Sequence, residues 1–243
     1  MSVSKFPVIV TRAEPGASET IRRLDQLGHT ALRVPALTLH EQADTALPPS
    51  NAISGLVFTS ANGVRTYAAR RDDRHQAVWC VGPATAEAAQ QEGFSTVHQS
   101  SGNALDLAHF IASRSAPTDV PLLHVANAAA AGILRRELEA LGFAVQFAPL
   151  YEMRPTRHMP SGVLDLIAHG KPAIILIHSA KGAQAFASML EGHGLQIAAL
   201  VAISDPASSP LANLAIDRTF IADVPNEDGL VRALERALAT LSA

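Results

Sequence analysis

Several short stretches of this chain place small or hydroxyl-bearing residues at the end of an apolar run: Thr11, Thr59-Ser60-Ala61, Gly82-Pro83-Ala84-Thr85, Asn127-Ala128, Ser179-Ala180 and Ser204. Such residues, set between a strand and a helix start, can do two things. A hydroxyl can cap the helix by accepting from an unpaired N–H, which stabilises it by about 1 kcal/mol. The bare backbone of the same turn, with its unpaired N–H groups and partial positive charge, can also hold an anion. Capping accounts for each turn taken alone. Gathered along sheet edges, where open α/β proteins bind ligands, the set could grip many carboxylates without many lysines or arginines.

Other chemistries lack their residues. The chain contains no G-x-G-x-x-G, no G-x-x-x-x-G-K-[ST] and no G-x-S-x-G, so dinucleotide, P-loop and nucleophile-elbow sites are not signalled. Ser179 is followed by Ala180-Lys181, which suggests a Ser-Lys nucleophile on paper. Adjacent residues at a helix start point apart, which argues against it. The 10 histidines are scattered without H-x-x-x-H spacing, so no metal site is expected. The net charge of −3 offers no basic face for nucleic acid. Cys80 is the one cysteine, which excludes an intramolecular disulfide and fits a reducing cytoplasm. It lies in the apolar run Val78-Trp79-Cys80-Val81 and reads as a buried structural thiol. No stretch approaches the roughly 20 apolar residues needed to span a bilayer, and the N-terminal apolar run is too short for a signal sequence. A cytoplasmic monomer is expected.

The elements that carry these turns alternate. Val8-Ile9-Val10 reads as a strand. A helical pattern follows through Ala17, Ile21, Leu24 and Leu27, with Gly28 as its stop. Ala31–Leu39 reads as extended, Gly55–Phe58 as a buried strand, and Thr59–Gly63 as a helix opening. Ala77–Val81 and Leu122–Val125 are further strands. Helices are predicted over Ala86–Glu92, Leu105–Ser113 and the Ala-rich Ala128–Leu141. Strands alternating with helices of this length imply parallel sheets covered on both faces.

The pattern repeats. Arg22–Gly28 aligns with Arg136–Gly142, Pro35 with Pro149, Phe58–Gly63 with Ile177–Gly182, and Val81–Thr85, less well, with Ile203–Ala207. The matches keep one order at a nearly constant offset, so a duplicated α/β unit is expected. Proline confines the equivalent segments Val34–Leu39 and Val145–Met153 to edge or connecting strands. The chain is therefore expected to leave one lobe at the first segment and return at the second.

Val10–Arg12, Phe58–Val64, Val81–Ala86 and Pro149–Glu152, taken together and in order, resemble the uroporphyrinogen-III synthase family over nearly the whole length. The resemblance implies two similar lobes, each a parallel sheet flanked by helices, joined by a two-stranded linker. Residues 1–35 and 153–243 would form one lobe and 40–147 the other, with linker strands at 36–39 and 148–152. It implies cyclisation of hydroxymethylbilane, a linear carboxylate-rich tetrapyrrole, with loss of water, inversion of the last pyrrole ring, and no metal or organic cofactor. By the same resemblance Tyr151 is the catalytic candidate, Thr85 a cleft threonine, and Ser60 and Ser179 paired cleft serines. Thr11, Ala61, Asn62, Ala180 and Ser204 would meet substrate, and Arg12 would pair with a propionate. The sequence departs from the family pattern at Ser204–Pro210, where Pro206 and Pro210 should shorten the following helix and Asp205 adds negative charge. The alternative reading is a non-catalytic two-lobed binder of a tetrapyrrole or small anion.

Overall fold

The computed structural model describes residues 6–130, 132–214 and 216–242; the start of the expected first lobe, residues 1–5, and residue 131 of the expected Ala-rich helix lie outside them. The chain divides into two compact units, Met1–Leu39 with Arg154–Ala243, and His40–Met153.

In the first unit, β1 (Val8–Val10) is followed by α1 (Gly16–Gln26) and β2 (Ala31–Arg33). The chain returns after the second unit with α6 (Ser161–Ala168), β9 (Ala173–Ile177), α7 (Ala180–Leu190), β10 (Ile197–Ala202), α8 (Asp205–Ser208), β11 (Thr219–Ile221) and α9 (Glu227–Ser242). These form a five-stranded sheet in the order β11-β10-β9-β1-β2, with parallel pairing throughout. Every residue of β1 and β9 is buried, the mark of strands covered on both faces. Leu24 of α1 and Leu230 and Leu234 of α9 pack with Val8, Val10, Ile174 and Leu176.

The second unit runs β3 (Leu37–Glu41), β4 (Gly55–Phe58), α2 (Ala61–Ala68), β5 (Val78–Val81), α3 (Pro83–Gln91), β6 (Val97–Ser100), α4 (Ala104–Ala112), β7 (Leu122–Asn127), α5 (Ile133–Ala140) and β8 (Val145–Pro155). Its sheet order is β3-β8-β7-β4-β5-β6. On one face Phe58, Val64, Tyr67, Ala89 and Leu123 pack together; on the other, Val57, Trp79, Leu107, Leu134 and Leu138. Fully burying a side chain such as Phe58 contributes roughly 1.5–3 kcal/mol. Arg70 and Arg71 donate to the carbonyls of Thr45 and Leu47, pinning the irregular segment before β4 onto the end of α2.

The duplication expected from sequence is present in the topology. The path β1-α1-β2 repeats as β7-α5-β8, and β9-α7-β10-α8-β11 repeats as β4-α2-β5-α3-β6. Two local expectations need correction, and a third is narrowed. The extended stretch Ala31–Leu39 is two strands in two sheets, interrupted around Pro35. Of the two places open to the Pro149-bearing strand, β8 takes the connecting one, since the chain passes between the units within it, and it lies between β3 and β7 rather than at an edge, with a register shift between Ala126↔Pro149 and Asn127↔Tyr151 beside the proline. The Ala-rich helix starts at Ile133 rather than Ala128. Asn127 Oδ1 accepts from Ala129 N at 2.9 Å, making a turn, and Gly132 adopts φ +69°, so local turn chemistry overrides alanine's helix preference.

Candidate functional site

In each unit the residues singled out by the sequence stand at the C-terminal edge of that unit's own parallel sheet. In the second unit β4 ends in Thr59-Ser60. Ser60 is the N-cap of α2 in extended conformation, and its Oγ accepts from Gly63 N at 3.3 Å. The same Oγ lies 2.6 Å from the hydroxyl of Tyr151, so the cap and the tyrosine form one hydrogen-bonded pair. Gly63 permits this close turn: a β-carbon there would stand 3.0 Å from the Val125 carbonyl. Tyr151 is only 3% exposed. Burial pushes its pKa up from the ordinary tyrosine value, partly offset by Ser60 and the Asn127 backbone, so the phenol keeps its proton near neutrality.

Asn62 and Ala61 follow on the first turn of α2, half-buried, and Asn62 Nδ2 approaches Met153 Sδ at 3.8 Å. Thr85 belongs to the same edge through β5. It is not a helix cap: Gly82 holds the cap position with φ +73°, a conformation suited to glycine, and Thr85 sits inside the first turn of α3. Its residue is 4% exposed, and its hydroxyl has no hydrogen-bond partner among the described residues.

The first unit is built differently. Thr11 donates its hydroxyl to Leu176 O at 2.7 Å and its carbonyl accepts from Ala36 N, so this buried side chain fastens β1 to β9. Ser179 caps α7, with Oγ accepting from Gly182 N at 3.0 Å, while Ala180 is exposed beside it. Ser204 occupies the cap position of α8 without a side-chain cap bond, and α8 lasts only four residues, as Pro206 and Pro210 foretold. Arg12 is engaged: its Nη1 meets Glu227 Oε2 at 3.2 Å.

Glu227 was not signalled by any motif, and it organises this edge. Thr20 Oγ1 donates to its Oε1 at 2.7 Å, and His178 Nε2 lies 3.3 Å from its Oε2, an ion-pair distance without hydrogen-bond geometry. Burial alone would raise the Glu227 pKa. The adjacent His178 ring, the Thr20 hydroxyl and the Arg12 charge together outweigh that and hold it at about 2. Glu227 opens α9, where Asn226 Oδ1 accepts from Gly229 N at 2.8 Å in a capping turn. Its pairing with Arg12, 215 residues away, has no local signal. Cys80 is buried, and burial lifts its thiol to about 12, which makes it inert. Among the described residues no three His, Cys, Asp or Glu side chains gather as a metal site, and no helix is long and apolar enough to cross a membrane.

A family model described as "Uroporphyrinogen-III synthase HemD" matches residues 18–232. No curated protein matches the chain in sequence. Among solved structures, a uroporphyrinogen-III synthetase from Helicobacter pylori aligns with a TM-score of 0.65 at 16% identity, covering 97% of this chain and 99% of that one. A mutant uroporphyrinogen III synthase from Thermus thermophilus aligns with a TM-score of 0.53 at 14% identity, covering 97% and 99%. At such identities the structural likeness is one of fold.

Proposed function

The chain belongs to the uroporphyrinogen-III synthase family, and from that premise we propose that it is the cyclising hydro-lyase that converts hydroxymethylbilane to uroporphyrinogen III. The family match over residues 18–232 is the observation that carries this reading. The reaction removes the terminal hydroxyl with a proton as water, leaving a reactive cation. The last pyrrole attacks the cationic methylene through its substituted α-carbon, giving a spiro intermediate. The bond from that carbon to the preceding methylene then breaks. That methylene, now cationic, bonds to the pyrrole's other α-carbon, and loss of the proton there restores aromaticity. Atoms balance with no added redox partner.

Ring closure without inversion is spontaneous, so the protein's task is mainly to hold one conformation of the cation. A positioned hydroxyl can assist departure of the leaving group. Tyr151 is our candidate. Its phenol stays protonated, and Ser60 is near enough to orient it. Thr85, with an uncommitted hydroxyl on the same sheet edge, is proposed to touch substrate, as are Asn62 and the backbone at Ala61. In the first unit Arg12, Ser179, Ala180, Ser204 and the Thr11 backbone are proposed to receive carboxylates.

The passage of the chain between its compact units within β3 and β8 supports linker strands near 36–39 and 148–152. The reading places the protein in the cytoplasm as a monomer. Incubation with freshly prepared hydroxymethylbilane, followed by separation of the ring isomers, tests the function. The inverted isomer should dominate. Only the uninverted isomer would leave a non-catalytic binder, the reading favoured by exposed Asp205 in the shortened α8 turn.

A further inference from the structure

Arg12 is held by groups that no motif marks. Its Nη1 is tethered by Glu227, and the same carboxylate is shared with Thr20 and His178. The guanidinium lies against Gly16, the first residue of α1. A β-carbon at Gly16 would overlap Arg12 Nε, Cζ and Cδ, so only a bare backbone leaves room for this seat. Nε and Nη2 have no hydrogen-bond partner among the described residues, and the side chain remains 34% exposed. Those two nitrogens form one edge of the guanidinium fork, the geometry that receives a carboxylate through two parallel hydrogen bonds.

We propose that Gly16 and Glu227 are positioning residues that fix Arg12 as a clamp for one carboxylate of the substrate. The proposal rests on the reading above that the ligand is a carboxylate-bearing tetrapyrrole. A free arginine side chain has several rotatable bonds whose freedom is lost when it is ordered. Here folding has already ordered it, so binding does not bear that cost. Because Thr20 and His178 also engage the Glu227 carboxylate, that charge anchors Arg12 through one nitrogen and leaves the other edge for a ligand. His178 supports the anchor from the sheet side: its side chain is 8% exposed and Nδ1 has no hydrogen-bond partner among the described residues.

Gly16→Ala is the decisive variant. Alanine suits a helix start, and the group it would displace is the end of a flexible side chain, so the fold should survive. We expect KM for hydroxymethylbilane to rise about tenfold, with kcat within about twofold and the melting temperature within about 3 °C of the parent. Arg12→Ala should raise KM similarly, and adding Gly16→Ala or Glu227→Gln to it should change KM no further. If Gly16→Ala leaves KM unaltered, or keeps its full effect when Arg12 is already alanine, the proposal fails. Should Glu227→Gln not fold, the Gly16–Arg12 cycle decides alone. Binding of the octacarboxylate uroporphyrin III, read by fluorescence, separates the two levels. A parent protein that binds it but makes no inverted isomer would sink the catalytic reading. Weaker porphyrin binding by Gly16→Ala would then still uphold the clamp, and unchanged binding would overturn it.

Discussion

The two units share a strand-and-helix plan and differ in what stands at the C-terminal edge of the sheet. In the second, the edge is neutral: Ser60, Tyr151 and Thr85 present hydroxyls, and α3 is a full helix beginning at Pro83. In the first, the corresponding edge is charged, with Arg12, Glu227 and His178 clustered, and α8 is cut to a single turn. The scaffold is repeated, and the turns at its edge differ. The proposed roles follow that split: the neutral edge would move a proton without stranding a charge, and the charged edge would hold an anion. A duplicated sheet can divide such labour because side chains at strand ends change without disturbing the buried strands behind them.

Acid should set the halves apart most strongly. His124 in the second unit is 2% exposed, neither ring nitrogen has a hydrogen-bond partner among the described residues, and burial lowers its pKa from 6.5 to about 4. The unfolded chain takes up that proton first. The stability tied to neutral His124 is therefore full above about pH 6.5 and falls as the pH drops toward 4, by about 3 kcal/mol in all. Glu227 in the first unit has its pKa lowered from 4.5 to about 2, so its contribution is complete above pH 4.5 and disappears between 4.5 and 2. Denaturant titrations at stepped pH, followed by Trp79 fluorescence, report the second unit, because Trp79 is the protein's one tryptophan. His124→Leu should flatten the slope between pH 6.5 and 4. An unchanged slope would show that His124 is not its source.

Tyr151→Phe tests the neutral edge. Turnover to the inverted isomer should fall by about ten- to fiftyfold, with melting unchanged within about 3 °C. An unaltered rate would make Tyr151 scaffold and leave the contrast between the edges without a catalytic meaning. Ser60→Ala should cost a smaller factor, about fivefold, and in addition about 1 kcal/mol of stability, because it removes the cap and the tyrosine's partner together. Thr85→Ala should be the mildest: turnover lower by about threefold and stability nearly unaltered, since Gly82 rather than Thr85 ends the helix. A stability loss with no kinetic change would assign Thr85 to packing.

The sequence revealed what is local or repeated. Period and glycine stops marked β1, α1, β4 and β7, and the matched segments around Gly28 and Gly142 became the ends of α1 and α5. Ser60 and Ser179 were legible as helix starts because an N-cap is a one-turn signal. Three features were illegible for physical reasons. The start of α5 depends on an Asn127 side-chain turn competing with alanine's helix preference. The interior position of β8 depends on a bulge that hides Pro149's missing donor. The Arg12–Glu227 pair joins residues 215 apart, and no spacing rule reaches that far.

The position of β1 has a consequence for assembly. It lies inside its sheet, and its partner β9 arrives much later in the chain: Thr11 bonds to Leu176 across 165 residues. Closing so long a loop is entropically costly and slow. The intervening unit, His40–Met153, is one uninterrupted segment, and β3 and β8 lie side by side where the chain enters and leaves it. Once that segment has folded, it clips its own ends together and shortens the effective tether between β1 and β9. The insertion that splits the first unit in sequence thereby becomes the splint on which its separated pieces are joined.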